Sequence, residues 1–335
     1  MNNTRTLSST SVSSRSLSGQ SWTGSSVVAS FAIALVVIFS TTLLSTAAFA
    51  SSTPQGTFDK TLTVSGPVDL EALTHSGDIT IRTGASAAVI IHGKIFVSDH
   101  WLRGNRQSDV DQIVQNPPIR QDGNRIHIDY LKDVHDISVD YEITVPAETV
   151  VHAHSGSGDL DIEGTHGNAD LQTGSGNVKL NHVSGEIRLQ TGSGDIRAHE
   201  VSGAVHGGTG SGDVEIAETG SGDVDIHTGS GNIGVRGIQG GFHGEAGSGD
   251  ITADGTQSGP WEIRTGSGNV RLHLPSSAAF DADISTSSGT IEVNAPVEMT
   301  VQGRIDENHK QIHGKVRGGG PLLSVRTGSG DIHVD

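Results

Sequence analysis

From residue 151 onward, apolar and polar positions alternate in short bursts, each opened by the same punctuation. The chain reads Thr173-Gly-Ser-Gly-Asn177-Val178-Lys179-Leu180, then Thr191-Gly-Ser-Gly-Asp195-Ile196-Arg197-Ala198, then Thr209-Gly-Ser-Gly-Asp213-Val214-Glu215-Ile216, and closes on Thr327-Gly-Ser-Gly-Asp331-Ile332-His333-Val334. The apolar-polar-apolar triplet has the period of a strand, which sends Val178 and Leu180 to one face and Lys179 to the other. The Gly-Ser-Gly segment reads as a turn. Its glycines are expected to take positive φ without a Cβ penalty, and the Asp or Asn beside them to hydrogen-bond nearby amides.

The Asp/Asn position falls at Asp159, Asn177, Asp195, Asp213, Asn232, Asp250 and Asn269, in steps of 18 or 19 residues. Weaker copies lie midway, at Gly167-Asn168-Ala-Asp-Leu171, Val183-Ser-Gly-Glu-Ile187 and Val201-Ser-Gly-Ala-Val205, and Thr219-Gly-Ser-Gly-Asp223 is a strong copy in one of those weak slots. The unit is therefore about nine residues, one tight turn plus one short strand. A fixed internal period marks a stacked, quasi-one-dimensional architecture. The predicted fold class is all-β, a parallel β-solenoid or β-helix-like repeat stack with about 18 residues per coil, made of two nine-residue units. A triangular coil of three units, or strands pairing in a less regular stack, stays open at this point.

Upstream the pattern is looser. Leu62-x-Val64, Val68-x-Leu70 and Ser76-Gly-Asp-Ile-Thr-Ile81 read as strands, as does Val89 to Val97. Ser108 to Asn116 carries an N-cap candidate, acids in its first turn and Pro117-Pro118 as a stop, which predicts a short helix near 108–116. Asn124 to Tyr130 and Ile137 to Val145 alternate as two further strands, the second closed by Pro146. Near the end, Ile291-Glu-Val293, Val301 to Ile305 and Gly318-Gly-Gly-Pro321 interrupt the period, as terminal coils that must hide an open core are expected to do. The expected organisation is residues 1–50 as a targeting segment, 58–150 as an N-terminal β region with the short helix, and 151–335 as a Gly-rich repeat continuous with it in one domain.

Composition narrows this picture. With 46 glycines against 3 Trp, 2 Tyr and 7 Phe in 335 residues, only a narrow core of Val, Ile, Leu and Ala is available. There is no Cys, so no disulfide staples the fold. Residues 1–26 are rich in Ser and Thr and hold Arg5 and Arg15 with no acid; 27–44 are mostly apolar, and Ala48-Phe49-Ala50 has the small-x-small pattern of a signal-peptidase site. A secretory signal is expected, with an uncleaved membrane anchor as the rival, and either places residues 51–335 outside the cytoplasm: periplasmic, on the outer surface or secreted. Losing Arg5 and Arg15 with that segment would leave 19 of the 21 basic residues against 38 acidic ones, a net charge of -19. Such a surface repels phosphate backbones and argues against a nucleic-acid partner.

With these residues in hand, the chain resembles the adhesin family of bacterial β-strand repeat proteins whose module is called the toastrack domain. The resemblance rests on Val139-Asp-Tyr-Glu-Ile-Thr-Val-Pro146 running into His154-Ser-Gly-Ser-Gly-Asp-Leu160, on the recurring Ser-Gly-Asp/Asn triplets, and on Gly318-Gly-Gly-Pro-Leu-Leu-Ser-Val-Arg-Thr-Gly-Ser-Gly-Asp-Ile332. It covers roughly residues 58–335. It implies an all-β, solenoid-like extracytoplasmic module without catalytic residues to carry over. It implies adhesion as one role and envelope-stress signalling as another.

The regular architecture of the repeat limits the chemistry its residues can carry. Secreted nonapeptide repeats of the Gly-Gly-x-Gly-x-Asp type bind Ca²⁺ between coils, and the period here matches. The register does not, because Asp directly follows the second Gly and Asn replaces it at 177, 232 and 269. No cofactor is expected, with Ca²⁺ kept as the alternative. His152-Ala-His154 puts two of the 17 histidines on one strand face without a third ligand at a diagnostic spacing, and His206, His227, His273 and His333 fall at outward or turn positions. The acid pairs Asp159/Asp161, Asp223/Asp225 and Asp281/Asp283 invite a carbohydrate-active β-helix enzyme, yet the first member of the first two is the repeat's own turn residue. No catalytic, cofactor-binding or metal-binding residue is assigned. Thr173, Thr191, Thr209, Thr228, Thr265 and Thr327 are expected to form an outward hydroxyl row suited to envelope glycans or proteins, with membrane association through the N-terminal segment.

Overall fold

The computed structural model describes residues 54–84, 87–98, 106–132, 136–294, 297–298 and 310–335. The expected targeting segment, residues 1–50, lies outside the described residues, as do residues 301–305. Ser51–Asp335 is one compact unit. Among the described residues the strands form two sheets, here sheet I with 14 strands and sheet II with 13.

Each coil contributes one strand to each sheet, so the coil has two sides and the triangular alternative is excluded. Ile187–Thr191 of sheet I turns through Gly-Ser-Gly into Ile196–Val201 of sheet II, and a return corner leads to Val205–Ser211 in sheet I. Pairing is parallel and in register at one coil's distance: Val178 opposes Ile196, Ile196 opposes Val214, and Leu171 opposes Leu189. Parallel sheets are ordinarily covered on both faces and read as continuous apolar runs. Here only the inner faces are covered, which is why Ile187–Thr191 alternates between buried and exposed positions.

The core is the thin space between the sheets, filled by two inward rows from each. Leu160, Val178, Ile196, Val214, Ile233, Ile251 and Val270 make one row of sheet II, all nearly inaccessible. Where aromatics enter, neighbouring positions shrink. Phe242 and Trp261 meet edge to face at 5.8 Å, Trp261 Nε1 donates to the Gly240 carbonyl, and the Phe242 ring lies over Gly244, where a Cβ would sit 2.7 Å from it.

The Gly-Ser-Gly glycines have a second task besides the expected positive φ, which Gly249 and Gly330 do adopt at +154°. At Gly176 and Gly194 the backbone is not left-handed; a Cβ would instead fall 2.1 Å and 1.9 Å from the carbonyl oxygen of the equivalent glycine one coil earlier. The corner is backbone stacked on backbone, with no room for a side chain.

The ends of the stack break chain order. The coil of Val68–Thr74 and Ile79–Thr83 lies between that of Arg125–Ile128 and Ile137–Val145, outermost, and that of Thr149–Ser155 and Leu160–Glu163. At the other end Leu322–Ser329 and Ile332–Val334 slot between the coil of Trp261–Ser267 and Val270–His273 and the outermost coil of Phe280–Ser288 and Ile291–Val293. Antiparallel strands then seal both ends: Ala88–Val97 with Gly56–Thr63 at one, Lys310–Val316 at the other. The strand expected over 124–130 is shorter, Arg125–Ile128. The expected helix is Gln107–Gln115 and buries Val110 and Ile113; Ser108 lies inside it, and the cap position is Arg106, which makes no side-chain cap bond. The Arg106 guanidinium instead pairs with Asp109 at 2.9 Å and Asp136 at 3.2 Å.

Two stability outcomes follow from this packing. Gly194→Ala should lower unfolding free energy by roughly 2–3 kcal/mol, as overpacking does, while Ser193→Ala, whose side chain is exposed, should stay within about 0.5 kcal/mol; urea midpoints of the two variants check this. Deleting residues 322–335 removes the shared partner of Trp261–Ser267 and Phe280–Ser288 and should abolish a single cooperative transition in thermal melts, whereas an unchanged melt would contradict the inserted coil.

Candidate interaction faces

The Asp and Asn of the repeat do more than cap their own turns. Asp159 Oδ1 accepts the backbone N–H of Asn177, Asn177 Oδ1 that of Asp195, and Asp195 Oδ1 that of Asp213, at 2.8–3.0 Å. The series continues through Asn232, Asp250, Asn269 and Asp331 and ends on Thr290. In the other direction Asp78 accepts from Asp159, and Asp140 from Asp78. One side-chain-to-backbone ladder thus crosses the stack. Like carboxylates one coil apart, at about 5 Å, repel by about 1–3 kcal/mol in a surface dielectric. Asn relieves this: Nδ2 of Asn177, Asn232 and Asn269 donates to the preceding Asp at 3.2–3.3 Å. At the ladder's ends, hydrogen bonds from Thr290 hold the Asp331 carboxyl below the usual range, and burial pushes the Asp140 carboxyl up.

The threonines face inward, not outward. Thr173, Thr191, Thr209, Thr228, Thr265 and Thr327 are 3–5% exposed, and each Oγ1 donates to a glycine carbonyl of the neighbouring coil at 2.8–3.1 Å, as Thr191 does to Gly176. The expected hydroxyl row is therefore an internal ladder. A buried hydroxyl needs a partner, and the carbonyl left by the glycine approach supplies it.

What the stack displays is a different row, on the outer face of sheet I. Register aligns Arg120, His127, Glu71, His152, Asp170, Arg188, His206, Asp225, His243, Glu262, Ser324, Asp283 and His313 across successive strands. Acids alternate with histidines and arginines along much of it. His127 Nδ1 meets Glu71 at 2.6 Å, His243 Nδ1 meets Asp225 at 3.0 Å, and His313 Nδ1 meets Asp283 at 3.2 Å. Opposite charges facing across strands favour the sheet by roughly 0.2–1 kcal/mol a pair. Sequence reasoning missed this row because its members from His152 onward lie 18 or more residues apart, although the recurrence of charge at a fixed place in the repeat was the signal that would have found it.

The remaining candidates disperse. His152 lies between Glu71 and Asp170, and His154 sits edge-on to Tyr130 at 6.2 Å, which also stacks on His75 at 4.5 Å. Among the described residues no cluster of three or more His, Asp or Glu is arranged to hold a metal ion. Asp159 and Asp223 serve backbone amides, Asp225 lies between His206 and His243, and Asp281 and Asp283 pair with Lys315, His313 and Arg326. Open grooves of about 570 Å³ and 520 Å³ lie over residues 237–239, 254–256 and 273–275 at the return corner and over Asp69, Glu71, Arg125, His152 and Asp170.

Comparison with known proteins meets this geometry at the level of family. The Toastrack DUF4097 family matches residues 52–207 and again 203–335, nearly all of the described chain. The chain belongs to that family. Its two toastrack matches meet inside an unbroken stack, since Val205–Ser211 pairs with Ile187–Thr191 on one side and Val224–Ser230 on the other. No curated protein shows significant similarity to it. Among solved structures the toastrack chain is similar to a candidate cell adhesion protein from Clostridium sporogenes (13% identity, 83% of this chain and 98% of that one, TM-score 0.24). It is also similar to a candidate adhesin from Bacteroides fragilis (14%, 84% and 98%, TM-score 0.40) and a candidate lipid binding protein from Parabacteroides distasonis (13%, 84% and 98%, TM-score 0.48).

The ladder separates from a calcium site by mutation. Asp250→Ala should cost about 1–2 kcal/mol by orphaning the Asn269 amide, Asp250→Asn should keep most of that stability, and millimolar Ca²⁺ should leave the melting temperature of the wild type unchanged. A calcium-dependent rise lost in Asp250→Asn would contradict the ladder as the sole role of these residues.

Proposed function

We propose that the protein is a non-catalytic, extracytoplasmic β-repeat scaffold whose outer faces serve adhesion or envelope interactions. The observation that carries this reading is the outer row of sheet I. It presents charged and imidazole side chains on a rigid face, one residue per strand from Arg120 to His313 except at the buried Ser324, at a spacing of about 4.8 Å set by the backbone. Identical spacing over many coils suits many weak contacts with an extended partner, such as an envelope glycan or a protein, rather than one tight contact with a small molecule.

Support for a non-catalytic role comes from how the acids are used. A catalytic pair needs a unique, preorganised constellation, whereas the pairs noted in the sequence are committed to backbone amides or ion pairs. The acidic surface also disfavours polyanionic partners.

Protease shaving of intact cells should remove the protein, and beads bearing many copies should retain envelope polysaccharide or protein that a single copy binds only weakly. Charge-neutral variants at Arg188 and Glu262 should reduce bead retention severalfold without moving the melting temperature. Protection from protease in intact cells, together with reducing-end release from polysaccharide, would overturn the proposal.

A further inference from the structure

Glu218 puts a carboxyl into a coil interior whose other buried side chains, among the described residues, are apolar or neutral hydroxyls. The return corner has its own inward row, Thr165, Val183, Val201, Glu218 and Ile238, and Glu218 is 5% exposed. Neither carboxyl oxygen has a hydrogen-bond partner. The cause lies in the repeat. In Val224–Ser230 the triplet places Thr228 inward and His227 outward, whereas in Val214–Glu218 the refrain starts one residue later in phase, so the residue before Thr219 turns inward. A strong copy of the refrain in a weak slot has carried a polar side chain into the core.

The surroundings make no ion pair with it. Asp223, across its own turn, is the charged group whose field reaches it, and it is of like sign. On the preceding strand Glu200 is exposed and paired with His182, and on the following strand Arg236 pairs with Glu215. The strands of sheet I that close this coil turn Val205, Val224 and Ile226 inward and His206, Asp225 and His227 outward. Pairing of Val214–Glu218 with the preceding strand shifts register between His199 and Val201, and one coil further on Ile233–Ile238 shifts register against Ile251–Gly255 between Val235 and Ile238. Glu200 and Gly237, which flank it in the neighbouring coils, both take positive φ. This corner also lies in the coil just after residues 203–207, where the two family matches overlap.

We propose that Glu218 makes this corner a pH-responsive joint: neutral, it completes the uncharged row and the stack runs unbroken; ionised, it drives the corner between Val201 and Ile238 open while the flanking coils hold. Burial pushes the carboxyl from 4.5 up to about 7, with Asp223 adding to the rise. The folded chain therefore keeps a proton that the opened corner releases. Closure is unpenalised below pH 4.5, weakens as pH rises to about 7, and is weakest and level above that.

Amide hydrogen exchange, corrected for intrinsic rates, tests this on the chain at pH 5 and 8.5. Peptides spanning 196–220 and 233–241 should lose protection at the higher pH, by at most about 75-fold, since about fourfold of the roughly 300-fold allowed by tenfold per pKa unit is already lost at pH 5, while 149–163 should not. Glu218→Gln and Glu218→Val should remove the pH dependence. Equal loss in the variants, or none in the wild type, overturns the proposal. If neither variant folds, the carboxyl carbon resonance of Glu218 in the wild type decides: a midpoint near 7 supports the joint, and one in the ordinary carboxylate range overturns it.

Discussion

The distance between stacked coils governs this molecule. Parallel strands sit about 4.8 Å apart, and at the Gly-Ser-Gly corner this spacing brings backbone against backbone so closely that a Cβ at Gly194 would fall 1.9 Å from the Gly176 carbonyl. Everything else in the repeat answers that approach. Glycine removes the side chain, the buried Thr hydroxyl takes the carbonyl of the neighbouring coil, and Asp or Asn takes its amide. Thr, together with Asp or Asn, thus supplies partners for the carbonyl and the amide that this approach leaves at the corner.

A stack held by neighbour contacts has two open ends, and this chain closes both by the same topological device. At each end a coil is inserted out of chain order beneath an outermost one, and antiparallel strands cover the last parallel edge. Such insertion locks distant parts of the sequence together. The final coil, Leu322–Val334, is gripped on both sides by strands made at least 29 residues earlier. It gives a quasi-one-dimensional body long-range closure that a simple solenoid lacks.

Function on such a frame belongs to whatever the repeat leaves free. The inward rows are spent on packing and the corner rows on hydrogen bonds, so chemical variety collects on the outer faces and at departures from the period. Two departures differ in kind. The outer row of sheet I departs in residue type while keeping the spacing, which suits a displayed surface. Glu218 departs in phase, which puts a carboxyl where a Val belongs.

Much of the fold was legible because its determinants are local. Period two in Val178-Lys179-Leu180, glycine at the corner and a spacing of 18 or 19 residues fix strand, turn and coil length within one coil's worth of sequence. The family resemblance rested on the same residues and was confirmed by the family match. The Thr row misled because an isolated Thr after a polar residue reads equally well on either side of a strand; only the strand's neighbours across the core show which side is buried. Likewise the need for space at Gly176 and Gly194 comes from the next coil, not from their own dihedral angles. By itself, then, the sequence determined period, strand and corner, since these depend on neighbours along the chain. Tertiary stacking decided which polar groups are buried, the order of the end coils, the outer charged row and the isolation of Glu218, because each is set by residues a coil or more away.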